Sequence, residues 1–257
     1  MDTVSPKLRS DMNSNKLFSE KPSDGSYNNG IQLGQHPISS SKYAIMTFQG
    51  GDRVLLCGFP PNTIQAIHEI IPLMWTQGIQ EQAVWDRTNL IKLAGYPWSH
   101  SSSVDRSVIE SRRLVCAMLQ VLFNQGWILE TTTNLTGAEE GMGKAIFKNG
   151  PVLPSRQWFS VNFYSADRIL FIDAPDQLCH ALASRLGSVL SDHGFEKGAY
   201  FLKFQGFPLT LRYRDDKSLY ILLDIMEVLD QYGFQLYTSV DLASRPKHRD
   251  SWICCSK

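Results

Sequence analysis

The sequence predicts an α+β protein built from two tandem copies of one module, each ordered β-β-α-β-α-β-β, packed as a pseudo-symmetric pair. Two observations carry this. Five sequence blocks recur in the same order in the two halves, and inside each half the apolar spacing switches between the period of a strand and that of a helix. The 257 residues are 43% hydrophobic and 19% charged, which is enough apolar matter for a sizeable core.

Asp52-Arg53-Val54-Leu55-Leu56 returns as Asp167-Arg168-Ile169-Leu170-Phe171, and each run reaches a proline at the same distance, Pro60 and Pro175. The stretch 90–98 returns at 201–209 and shares a Lys-x-x-Gly-aromatic-Pro pattern. Gly126-Trp127-Ile128-Leu129 returns as Gly233-Phe234-Gln235-Leu236, Asn134-Leu135 as Asp241-Leu242, and Ala145-Ile146-Phe147 as Trp252-Ile253-Cys254. The first module is expected over 42–149 and the second over 156–257, with a Gly- and Pro-bearing linker at 150–155. Residues 1–41 are rich in Ser, Asn, Asp and Lys and sustain no period, which predicts a disordered tail.

Each module opens with two strands, 43–48 with 53–58 and 158–164 with 168–172, joined by short polar turns. A helix follows. In the first module Asn62 is the expected cap, Ile64, Ile67, Ile71 and Met74 form the apolar face, and Pro72 ends or kinks it. In the second, Asp176 is the expected cap, with Leu178, Leu182, Leu186, Val189 and Leu190 on the face. The third strand carries the Lys-x-x-Gly-aromatic-Pro block. The second helix is expected at 104–124 and 218–232. Its later copy is apolar around most of its circumference, sparing only Tyr220, Asp224, Glu227 and Gln231, so burial on more than one side is expected there. Gly126 and Gly233 end these helices, and 127–133 and 234–240 begin the closing strand pairs.

Trp75-Thr-Gln-Gly-Ile-Gln80, Lys92-Leu-Ala-Gly-Tyr-Pro-Trp98, Ser155-Arg-Gln-Trp-Phe159 and Asp250-Ser-Trp-Ile-Cys254 resemble the landmarks of an uncharacterised animal and fungal family of two-module proteins. The resemblance covers nearly everything after residue 41. It implies the two-module fold and no particular chemistry.

Lys+Arg 25 against Asp+Glu 25 leaves no net charge, which disfavours nucleic acid as the main partner. No apolar run approaches a membrane span, and the first thirty residues lack the apolar core of a secretory signal, so a soluble cytoplasmic protein is expected. The five cysteines form no C-x-x-C pair and mostly sit in apolar segments, as buried free thiols do. The six histidines form no metal-ligand pattern, so no metal and no cofactor is expected. The stretch 137–144 resembles a phosphate loop but has Ala138 and Ala145 where that loop needs Gly and Ser/Thr; it reads as a hairpin loop.

No catalytic residue is expected. The functional expectation is a non-catalytic binding protein that takes a protein or small-molecule ligand at the junction of its modules. The alternative is an enzyme with its site in that cleft. The Lys-x-x-Gly-aromatic-Pro blocks supply the candidate ligand-binding residues Lys92, Tyr96, Trp98, Lys203 and Phe207: the lysines as mobile point charges, the aromatics as flat apolar surfaces.

Overall fold

The computed structural model describes residues 41–98, 106–133, 141–210, 216–242 and 250–257. The expected tail at 1–41 lies outside them except for Ser41, as do parts of the long loops. The first module contains β1 (Tyr43–Gln49), β2 (Arg53–Cys57), α1 (Pro61–Met74), β3 (Ile79–Trp85), β4 (Thr88–Leu93), α2 (Arg106–Asn124), β5 (Trp127–Thr133) and β6 (Gly141–Asn149). The second repeats it with β7 (Trp158–Ser165), β8 (Arg168–Ile172), α3 (Asp176–Arg185), β9 (Leu190–Glu196), β10 (Ala199–Phe204), α4 (Lys217–Gln231), β11 (Phe234–Val240) and β12 (Ser251–Ser256).

The α+β, two-module expectation holds, with one strand more per module than expected: the order is β-β-α-β-β-α-β-β. The additional strands are β3 and β9, the outermost of their sheets. Most of their residues are exposed, so no alternation of apolar and polar residues marks them. Val189 and Leu190 consequently leave the helix face assigned to them: α3 stops at Arg185, Gly187–Val189 form a 3-10 turn, and Leu190 opens β9. Neither Asn62 nor Asp176 caps a helix. α1 starts at Pro61 after an extended Pro60, and α3 at Asp176 after an extended Pro175; proline's fixed φ begins both helices without a side-chain cap. Pro72 falls within the last turn of α1.

The two sheets have the same antiparallel order, β3-β4-β2-β1-β6-β5 and β9-β10-β8-β7-β12-β11. Their registers also agree. Arg53 faces Lys92 as Arg168 faces Lys203, and both sheets shift register between their last two strands, after Leu129 and after Leu236.

Alternation along the strands sets the layers. In the first sheet Ala44, Met46, Phe48, Val54, Leu56, Ile91 and Leu93 point to α1 and α2 in one core. In the second, Phe159, Val161, Ile169, Phe171, Leu202 and Phe204 point to α3 and α4. The opposite face of the second sheet is buried as well: Trp158, Ile253 and Cys255 join the core of the first module, while Leu170, Ile172 and Ala199 pack with Ile109 of α2. The described residues of the two modules therefore form four layers, sheet, helices, sheet, helices. The contact joins unlike surfaces, the helical side of one module and the outer sheet face of the other. The pair is pseudo-symmetric, but not by the twofold axis that the repeat suggests, because a twofold joins like to like.

α2 holds the stack together. Twelve of its nineteen residues are buried, against four of fifteen in α4. The helix expected to be buried on several sides, α4, instead exposes Leu219, Tyr220, Leu223 and Met226. On α2, Phe123 meets Trp158 edge to face at 5.4 Å and Tyr237 at 6.0 Å. Arg113 donates twice to Asp173 and once to the Gly198 carbonyl.

These contacts differ in worth. Phe123→Ala empties a site shared by both modules and should cost about 3–5 kcal/mol. Asp173→Asn, which suits the left-handed backbone at this position, removes an ion pair open to solvent and should cost less than about 1 kcal/mol. Urea denaturation of the two variants checks the order.

Candidate functional site

The junction contains a cavity of about 250 Å³. Met46 and Phe48 of β1, Leu119 of α2, Leu129 and Thr132 of β5, and Ala145 of β6 form the wall from the first module. The end of β11, at Thr238, Ser239 and Val240, closes it from the second, with Asp241 and Asp250 beyond. Those two carboxylates are the only ionisable side chains among the described lining residues.

Local structure explains the opening. β5 and β11 each carry a bulge near their start, and such a bulge bends and twists its strand. Beside the first bulge the Leu129 N–H donates to the Tyr237 hydroxyl, 3.0 Å away, which comes from the second bulge. The two bulged strands are thus tied at one end, while their far ends line the cavity. Burial pushes the Tyr237 phenol above its ordinary pKa, so it stays a neutral acceptor.

The carboxylates are not equivalent. Asp250 accepts from Ser239 at 2.6 Å. Asp241 lies in the field of Arg112, whose guanidinium donates to Ser111 and Ser251. Burial lowers the Arg112 pKa to about 10, and Asp241 acts against that shift, so Arg112 remains cationic at neutral pH. The junction thus has a cation beneath one carboxylate and a hydroxyl on the other.

The five residues singled out by the sequence lie elsewhere. Trp98 is 1% exposed: its ring meets Phe48 edge to face at 4.8 Å and its N–H donates to the Arg53 carbonyl. It is core of the first module and presents no surface, because the Gly-aromatic-Pro turn folds it back under the sheet. Lys92 and Lys203 are on the outer faces of separate sheets, paired with Arg53 and Glu81 in one and Arg168 and Asp192 in the other. Tyr96 and Phe207 follow the ends of β4 and β10 and are exposed. Gly95, between Lys92 and Tyr96, has φ 74°, a left-handed backbone conformation that glycine adopts without strain. The structure brings none of the five into the cavity lining.

Other candidates resolve as structural. Burial raises the Cys116 and Cys179 thiols to about 12 and pushes Cys254 further up, which leaves them unreactive. His193 bonds the Tyr200 hydroxyl at 2.9 Å, and the His180 ring stacks on Tyr200 edge to face. Among the described residues no three His, Cys, Asp or Glu converge as a metal site. The phosphate-loop-like stretch is outside the described residues up to 140, and the rest of it lies in β6.

The sequence analysis missed the cavity because its wall residues come from blocks far apart, and each alone reads as ordinary strand or helix. A trace was present in Asp241 and Asp250, which bracket a loop that pairs with 134–140 in the repeat.

The placement of Trp98 is testable. Trp98→Phe keeps the ring packing but removes the donor to the Arg53 carbonyl, and should cost about 1 kcal/mol. Trp98→Ala should cost about 3–5 kcal/mol, and Lys92→Gln should stay within about 0.5 kcal/mol of wild type. Thermal melts of the three variants give the comparison.

No helix among the described residues is long and apolar enough to cross a membrane. No curated protein and no solved structure matches the chain. The model of one uncharacterised domain family matches twice, over residues 42–147 and 157–255, the two parts that form the two sheets and their helices, and the chain belongs to that family.

Proposed function

We propose that the protein is a non-catalytic binding protein, and that its ligand is a small, largely apolar molecule bearing a positive charge or strong hydrogen-bond donor, held in the junction cavity. The observation that carries this is the make-up of the walls. Met46, Phe48, Leu119, Leu129 and Ala145 offer an apolar chamber, and acceptors gather at one side, on Asp241 and Asp250. A ligand with an apolar body and a donor head matches both. An anion would face two carboxylates, so the cavity selects against it. Tyr96 and Phe207, exposed beside their lysines, are proposed as contact points for a protein partner outside the cavity.

The probes are tryptamine and phenethylamine, with 3-phenylpropionate as the anionic control. Either amine should raise the melting midpoint of the full-length protein, and the control should not. Asp241→Asn combined with Asp250→Asn should weaken amine binding at least tenfold, or about 1.4 kcal/mol. Thr132→Trp, which fills the cavity from β5, should abolish it. An unmoved midpoint with both amines, or equal binding by the charge-neutral variant, would overturn the proposal.

A further inference from the structure

The interface that joins the two modules has two halves, and the molecule carries a second, unpaired copy of each. The first half is the side of α2 that lies on the second sheet: Ile109, Arg112, Arg113, Cys116, Leu119 and Phe123 face it or its edges. By the repeat, the α4 positions equivalent to 112, 113, 116 and 119 are Leu219, Tyr220, Leu223 and Met226. All four are exposed, Leu219 at 55% and Leu223 at 59%. They recur one helical turn apart and make one continuous apolar face.

The second half is the outer face of the second sheet, which α2 covers with the help of Trp158, Leu170, Ile172, Phe201 and Ile253. The equivalent outward positions on the first sheet are Tyr43, Leu55, Cys57, Leu90 and Ile146, apolar at every one. None of these side chains belongs to the three apolar cores among the described residues, but their exposure is uneven: Tyr43 is exposed, Leu55, Cys57 and Ile146 are half-buried, and Leu90 is buried. The outer face of the first sheet carries Lys144 and Lys148 on β6, Lys148 in an ion pair with Glu130, and α4 carries Glu227 and Asp230, which pair within the chain with Arg185 and Lys257. Lys148 occupies the position of Cys255 and Asp230 that of Phe123, which lie together in the internal interface.

We propose that the chain binds a second copy of itself head to tail, α4 of one copy packing on the outer face of the first sheet of the next, as α2 packs on the second sheet within each chain. The occupant follows from the internal interface: among the described residues, the surface that accepts the outer side of a second helix is the outer face of this sheet type, and the repeat provides another such face on the first sheet of every copy. Such a contact is heterologous, so each dimer retains one free α4 face and one free sheet face and further copies can add. The inference is independent of the junction cavity and its ligand.

The test is sedimentation velocity on the full chain from micromolar to sub-millimolar concentration, with Leu223→Glu to block the helix face and Leu55→Glu to block the sheet face. Wild type should gain mass with concentration, at least doubling its 29.1 kDa. Each variant alone should stay monomeric with an unchanged circular-dichroism spectrum. An equimolar mixture should give a one-to-one dimer that grows no further, because each variant supplies the face the other lacks. Wild type that remains monomeric throughout would overturn the proposal. So would a Leu55→Glu chain that dimerises alone, since that is the mark of a helix-to-helix twofold contact, or a mixture that stays monomeric. If Leu55→Glu does not fold, Thr47→Glu on the same outer face takes its place, and Tyr220→Glu replaces Leu223→Glu.

Discussion

The structure depends on one burial: α2 has a sheet on either side. Its Leu114, Val115, Met118 and Leu122 serve the first sheet, while Ile109 and Phe123 serve the second. At roughly 25 cal/mol per Å² of apolar surface, a helix buried on two faces contributes about twice what a surface helix does. It does so for two modules at once. Neither module is complete without this arrangement, because the second would otherwise expose Trp158, Leu170, Ile172 and Ile253 along one sheet. The polar contacts of α2 include one within the interface, the Arg112 guanidinium donating to the buried Ser251 of the second sheet, and others towards its margins. Arg113 reaches Asp173 at the surface, and Glu110 holds Thr76 at the turn before β3. They set the register of the interface more than its strength.

The same constraint produces the cavity. Two sheets pressed against one helix close well where their strands are straight and poorly where they bend. β5 and β11 bend at equivalent bulges, so their ends diverge from α2 near Leu119. Tyr237 stitches the bulges together at one side, which confines the opening to the other, beside Asp241 and Asp250. A cavity formed this way owes its existence to the duplication, since no single module contains both walls.

Much of the fold was legible in the sequence, and the misses share a physical cause. The blocks beginning Asp52-Arg53 and Asp167-Arg168 recur because equivalent strands bury equivalent faces, so register and order could be read from them. β3 and β9 could not. As outermost strands they satisfy one side of their backbone in the sheet and leave most side chains in water, so Gln80, Glu81 and Gln82, or Ser191, Asp192 and His193, carry no apolar alternation. The second helices were read in reverse. α4 is the more apolar around its circumference, yet α2 is the one enclosed, because a helix is buried by what packs against it, and among the described residues a second sheet packs on α2 alone. The candidate site fared similarly. Lys92 and Lys203 are equivalent, but equivalence in a head-to-tail stack puts them on separate layers instead of across a groove. Trp98 was part of the most specific motif because the core needs it.

If α2 is the shared element, the two modules must lose their structure together. Native-state hydrogen exchange followed residue by residue through a urea series measures this most directly. The α2 amides and those of β7 and β8 should exchange only through global unfolding, with one common free energy and one common urea dependence. Exchange of β7 and β8 at a distinctly lower free energy, while α2 and the first sheet remain protected, would mean that the second module opens by itself and that α2 does not join the two.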